Sequence, residues 1–304
     1  MYRLIAEMVS LVGSEETLAE LIPYGDKAIV ALREYLLKGK PHSVYQSRQQ
    51  AVLALAALGA REVLLEYLST PREINNADVL AAEQLVESSA ARELVRWKDP
   101  ATFKFLMQYA KQNRRTGALE ALAEFRKKEA APLFIAALED DYYRPAGEQG
   151  LRKLGSAAKP RLLRAALTPS LDEGDEPLWS LRRRQAALSI LADIRLTDKN
   201  WQALRPLLTD EHPEIAAGLG TLAATVAPKK DRARAAEQIV AAYRRTDYWR
   251  TFMELDEALT RLQPEAIIAI DRALENYAAE DNSEAVWRLR RIVRRIGKGN
   301  SEVQ

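Results

Sequence analysis

The sequence contains no cysteine. Disulfides, zinc–thiolate centres and cysteine nucleophiles are therefore excluded. Histidine is almost as scarce. His42 and His212 are the two, each beside a proline, Pro41 and Pro213, the pattern of a helix-entry turn. A histidine-rich metal site is not expected, and neither is a metal or a small-molecule cofactor. A Ser–His–Asp triad would need His42 or His212, and nothing places a nucleophile beside either; His212 reads as a capping residue. The signatures G-x-S-x-G, P-loop, G-x-G-x-x-G and H-E-x-x-H are all missing. Gly218–Leu219–Gly220 sits inside an apolar helical pattern with no strand before it, so it reads as a close helix contact and not as a phosphate cradle.

Long apolar runs are also lacking. None approaches the roughly 20 residues needed to span a bilayer, so no membrane association is expected. The N-terminal stretch MYRLIAEMVSLVGSEE is interrupted by Glu7 and has no small-residue cleavage site. It reads as a first helix instead of a signal peptide, and a cytoplasmic location is the expectation. Charge of one sign is not in excess either: 45 Lys and Arg oppose 43 Asp and Glu, leaving +2. Polyanion binding would need a local patch, because the average charge does not supply it.

What the sequence does hold is helical periodicity. Apolar residues recur at i, i+3, i+4 and i+7 in nearly every segment, and strand alternation is absent. The helices repeat. SRQQAVLALAALG sets Arg48 ahead of Ala51, Ala54–Leu55 and Leu58. The same frame returns at Arg115 (Ala118, Ala121–Leu122, Phe125), at Arg144 (Gly147, Gly150–Leu151, Leu154) and at Arg184 (Ala187, Ile190–Leu191, Ile194). Weaker copies start at Asn75, His212, Phe252 and Asn282, with a first one near Leu11 (Leu18, Leu21). A second frame follows the first, as in GSAAKPRLLRAAL, EAAPLFIAAL and ALRPLL, where proline suits the first turn of a helix. Each unit is thus helix, tight turn, helix, with Asp99, the 139–141 acidic run, Asp210 and Asp247 as N-cap candidates. Anchor spacing suggests alternating short and long units, the extra residues of one long unit being the acidic loop TPSLDEGDEP at 168–177.

The Arg–Ala–Ala–Leu–Leu–Gly frame followed by Ala–x–Pro–x–Leu resembles the HEAT and HEAT-like repeats, including the short type found in bilin lyase subunits. The resemblance covers nearly the whole chain. It implies an all-α fold, a right-handed α-α superhelix of about eight or nine helical pairs. It also implies that first helices line the convex face and second helices the concave one. On this reading residues 1–304 form one solenoid, with 1–43 as N-terminal cap and first repeat and 282–304 as C-terminal capping helix and tail.

Stacked units present a long surface with few deep pockets, which suits extended partners. The expectation is therefore a non-enzymatic scaffold or adaptor whose partner is another protein or peptide. Nucleic acid is the rival partner. Its binding candidates lie in the C-terminal half: Arg161, Arg164, Arg205, Arg234, Gln238 and Arg245. Against it, Arg115, Arg144 and Arg184 hold the framework position, where arginines brace neighbouring units by pairing with turn aspartates. A remoter rival is an enzyme of lyase or glycosylase type. HEAT-like DNA glycosylases use one acidic residue and aromatics, and the nearest stretch here is DYWRTFMELDEAL, with Trp249, Arg250, Glu254 and Asp256. Helical spacing assigns Trp249, Phe252 and Met253 to core packing.

The last helix, in WRLRRIVRRIGKG, is crowded with arginine. Ala285, Leu289, Ile292, Val293 and Ile296 share one face and Arg288, Arg291 and Arg295 another, with Glu284 one turn before Arg288. A terminal helix needs such a polar face because nothing stacks on it.

Overall fold

The computed structural model describes residues 22–276 and 283–299. The proposed copy near Leu11, the Asn282 anchor and the Ile296 side chain lie outside what is described. Among the described residues every regular element is helical, apart from one isolated bridge between Asp172 and Asp175. None of their helices is long and apolar enough to cross a membrane. The helices group into two compact units.

The first unit runs through α1 (Asp26–Lys38), α2 (Gln46–Ala57), α3 (Arg61–Ser69), α4 (Ala77–Glu93), α5 (Pro100–Gln112), α6 (Thr116–Phe125), α7 (Ala131–Ala137) and α8 (Arg144–Leu154). Helices α2, α4, α6 and α8 stack in order as one layer, and α1 and α3 contact each other in a second layer. The stacking faces are built from small residues and leucines: Ala51, Ala54 and Leu55 of α2, Ala82 and Val86 of α4, and Ala118, Ala121 and Leu122 of α6 are buried. Small side chains let the backbones approach. A Cβ on Gly117 would lie 1.7 Å from the Ser88 carbonyl oxygen, so α4 and α6 touch backbone to backbone there. Punctuation is local. Asn76 caps α4 through Val79 N–H, Asp99 caps α5 through Thr102 N–H, and Pro100 occupies the first turn of α5. Gly59, with φ +74, ends α2 in the left-handed conformation that glycine tolerates best.

The second unit contains α9 (Lys159–Leu167), α10 (Leu178–Ala192), α11 (Asp198–Leu204), α12 (Pro213–Val226), α13 (Lys229–Ala242), α14 (Trp249–Arg261), α15 (Glu265–Glu275) and α16 (Glu284–Gly299). Here α10, α12 and α14 form one layer, while α9 meets α11 and α13 meets α15 in the other. Thr197 and Asn200 make a capping box at the start of α11. The first helices of successive pairs begin at residues 46, 77, 116, 144, 178, 213, 249 and 284. Their spacing varies in the first unit and is nearly even in the second.

Several local expectations are corrected. Trp249 and Met253 are 57% and 60% exposed, and of that trio only Phe252 packs inside. The face of α14 turned inward is instead Thr251, Phe252, Leu255, Ala258 and Leu259. His212 occupies the N-cap position of α12 without capping it; its Nδ1 lies 3.0 Å from Asp210 Oδ1. Asp247 is not a cap, since Tyr248 holds that position of α14. In α16, Ala285, Leu289 and Ile292 are buried as the periodicity requires. Arg288 pairs with Glu284 and lies 4.3 Å above the Phe252 ring, and Arg295 donates to Thr260. These two arginines are packed against α14.

Candidate functional site

The framework arginines are where the chemistry begins. Arg48, 2% exposed, donates from Nε and Nη2 to both carboxylate oxygens of Glu83, and from Nη1 and Nη2 to the carbonyls of Tyr35, Gly39 and Leu36 at the end of α1. Tyr67 donates its hydroxyl to the same Glu83 at 2.6 Å. Burial, with the Glu83 charge beside it, pushes the Tyr67 phenol well above its ordinary range, so it stays a donor. Arg72, from the loop between α3 and α4, sets its guanidinium carbon over the Tyr67 ring, 4.0 Å from the centroid, with its Nε 3.4 Å from Glu83. One helical turn along α4, Glu87 receives Arg115 Nε at 2.7 Å and the Tyr109 hydroxyl at 3.2 Å. Burial, with Glu87 nearby, also raises the Tyr109 phenol.

Arg72, Glu83, Glu87, Tyr109 and Arg115 of this row line a cleft of about 600 Å3. The cleft is bounded by the end of α3, the 70–76 loop, the first half of α4, the second half of α5 and the turn carrying Asn113 and Arg115. Its walls combine apolar groups (Leu68, Ile74, Leu80, Phe105) with four side-chain amides, Gln84, Gln108, Gln112 and Asn113. The floor is fixed by ion pairs and the walls carry uncommitted hydrogen-bonding groups. A concavity with convergent polar groups is where a small molecule ordinarily binds. The sequence reading missed it. Glu83 and Glu87 look like ordinary helix-surface charges, and nothing in their spacing along α4 points to Arg48 and Arg115 on neighbouring elements.

The second unit holds a smaller groove of about 330 Å3 over α12, between α10 and α14. Gln185 and Glu254 bridge its two banks, with Nε2 to Oε2 at 2.8 Å. Burial, opposed by that hydrogen bond and reinforced by the charge of Glu214, raises the Glu254 carboxyl above its ordinary value. Asp256 points elsewhere and accepts the Tyr243 hydroxyl. Trp249 does not line the groove.

The predicted binding residues separate into two kinds. Arg205 pairs with Asp231 on α13, Gln238 donates to the carbonyls of Leu207 and Asp210, and Arg245 donates to the carbonyl of Glu211 at 2.9 Å. These three tie adjacent helix pairs together. Arg161, Arg164 and Arg234 are exposed. Of the framework arginines, Arg184 meets the turn residue Asp210 as expected and also Glu176 of the acidic loop. Arg48 and Arg115 depart from that expectation, because both use glutamates of α4, the helix that follows Arg48 and precedes Arg115 in the layer. No group of His, Asp and Glu suited to holding a metal ion occurs among the described residues.

No family model matches the chain, and no curated protein does. Among solved structures it is similar to human deoxyhypusine hydroxylase in complex with glycerol, at 17% identity, covering 91% of this chain and 98% of that one with a TM-score of 0.30. At that level the likeness transfers no activity, substrate or site. The expectation of a non-enzymatic scaffold stands corrected; the matching chain is by its name an enzyme. The premise behind that expectation also fails in the first unit, where the α4–α5 cleft is a real concavity.

Proposed function

We propose that this chain binds a small polar molecule in the α4–α5 cleft of its first unit. The observation that carries the reading is the four side-chain amides lining that cleft. None of Gln84, Gln108, Gln112 and Asn113 has a side-chain hydrogen-bond partner among the described residues. Beneath them the charged floor is already held in place, so a ligand meets a preorganised surface. Leu80 and Phe105 offer apolar area for its body. We read the helix pairs themselves as HEAT-like repeats, supported by the bracing role of Arg48, Arg115 and Arg184. We keep the cytoplasm as the proposed location, with which a cysteine-free chain is compatible.

The test is a thermal-shift screen of the full chain against a panel of cellular metabolites, run in parallel on Gln84→Trp, which fills the cleft without touching its floor. A ligand at a hundredfold excess over its Kd adds about 2.7 kcal/mol of stability. A compound that raises the Tm of the parent chain and not that of Gln84→Trp is the expected result. A panel with no such compound overturns the reading.

A further inference from the structure

The charged cluster in and behind the cleft is not electrically neutral, and only one of its guanidinium groups has an edge to spare. Three guanidinium groups, Arg72 and Arg115 of the lining and the buried Arg48 behind it, face two carboxylates, Glu83 and Glu87. Arg48 is spent on Glu83 and on three carbonyls behind the cleft. Arg72 is spent as well. Its Nη1 and Nη2 donate to the carbonyls of Thr70 and Tyr67, its guanidinium carbon sits over the Tyr67 ring, and its Nε lies against Glu83. It fixes the loop and has little left for a ligand. Arg115 differs. Its Nε goes to Glu87 and its Nη1 to the carbonyl of Arg114, and its Nη2 has no hydrogen-bond partner among the described residues. Arg115 lines the cleft, and its side chain is 16% exposed, enough to be reached and too little to be fully hydrated. It is also the N-cap residue of α6, whose side chain makes no cap bond, so the positive end of that helix adds to its field.

We infer that the ligand of this cleft carries a single carboxylate, held by the Nη2 edge of Arg115, with its body among the amides and apolar walls; this rests on the binding reading above. The chemistry is selective in both directions. A carboxylate balances the one uncompensated positive charge and forms a charge-assisted hydrogen bond to a planar donor. A cation meets net positive charge. A dianion overshoots the balance and is pushed back by Glu83 and Glu87. A body bearing an amide answers Gln108, Gln112 and Asn113, and a modest apolar group answers Ile74, Leu80 and Phe105.

The probes are N-acetyl amino acids, each paired with its uncharged N-acetyl amino amide, titrated into the full chain and followed by calorimetry. At least one acid is expected to bind about tenfold more tightly than its amide, the factor a charge-assisted bond supplies. Arg115→Gln should abolish that ratio. Because Arg115→Gln also strips Glu87 of a partner, Arg115→Lys is the second variant: it keeps the ion pair, loses the planar edge, and should cut the preference while leaving the Tm near the parent value. Acids and amides that bind alike, no binding by any acid, or a preference that survives both arginine variants would overturn the inference. If neutral or cationic metabolites then still bind in a way that Gln84→Trp removes, the carboxylate assignment alone has failed. If nothing binds in that manner, the cleft reading falls with it.

Discussion

Arg48 and Glu83 meet as a two-pronged pair, Nε to Oε2 at 2.9 Å and Nη2 to Oε1 at 2.8 Å, across a sequence separation of 35 residues. Both side chains are almost wholly buried, at 2% and 3% exposure. The pair locks α2 to α4 and anchors the end of α1, so the cleft inherits its rigidity from it. Glu83→Ala would leave a buried guanidinium without its counter-charge, at a cost of about 3 to 5 kcal/mol. Replacing both partners, Arg48→Met with Glu83→Leu, should recover part of this. It stops short of the parent because the Tyr67 hydroxyl is left without its acceptor, worth about 1 to 3 kcal/mol. Urea denaturation checks both, and a single-variant loss under about 1 kcal/mol would contradict the assigned role.

Close packing gives a second expectation. Gly117→Ala sets a methyl group 1.7 Å from the Ser88 carbonyl oxygen, so α4 and α6 must part. A backbone cannot swing aside as a side chain can, and the loss should reach about 1 to 3 kcal/mol or more. Since α4 floors the cleft, ligand binding should weaken as well. Unchanged stability and unchanged binding in Gly117→Ala would show that the two helices have slack at this crossing.

The Arg184–Asp210 contact makes stability depend on acid. Burial works against the Asp210 charge, but the Arg184 hydrogen bond, the His212 N–H and the Arg184 charge outweigh it and hold the carboxyl below its ordinary 3.8. The folded state therefore binds this proton less readily than the unfolded one. The contribution is present above the ordinary value and is lost as pH falls through the depressed one. Asp210→Asn should be less stable than the parent at neutral pH, with the gap closing below about pH 4. A gap that stays constant from neutral to strongly acidic pH would count against the pairing.

Glu254 has the opposite sign. Burial raises its carboxyl, Gln185 opposes this and the Glu214 charge adds to it, so the folded state holds that proton more readily than the unfolded one. The stability this contributes is complete below the unfolded value and is lost as pH rises through the folded one. Glu254→Gln keeps the neutral form at every pH. It should match the parent in acid and exceed it at neutrality, as seen in melting curves across that range; a variant less stable at neutrality would refute this.

How far the sequence could be read depends on range. Helices, small-residue stacking positions and the first-turn prolines at 100, 160, 206 and 213 are local properties, and they were legible as such. The buried arginines were legible as a repeating position, because Arg48 and Arg184 recur in one frame. Their partners were legible only where the turn supplied one, as Asp210 does for Arg184. Glu83 and Glu87 are reached through the register between two helices, and no spacing within one helix encodes that. The cleft was illegible for the same reason, since its walls come from α3, the 70–76 loop, α4 and α5. Trp249 and Met253 misled because an aromatic at helical spacing usually packs inside, whereas here the inward face of α14 lies one position over.

The most direct measurement is hydrogen exchange on the full chain, with and without a cellular metabolite extract cleared of macromolecules. The expected result is added protection in residues 68–74, 80–87 and 105–115, the segments that line the cleft, with none in the second unit, and its loss in Gln84→Trp. Protection confined to other segments, or no change anywhere, would contradict the account.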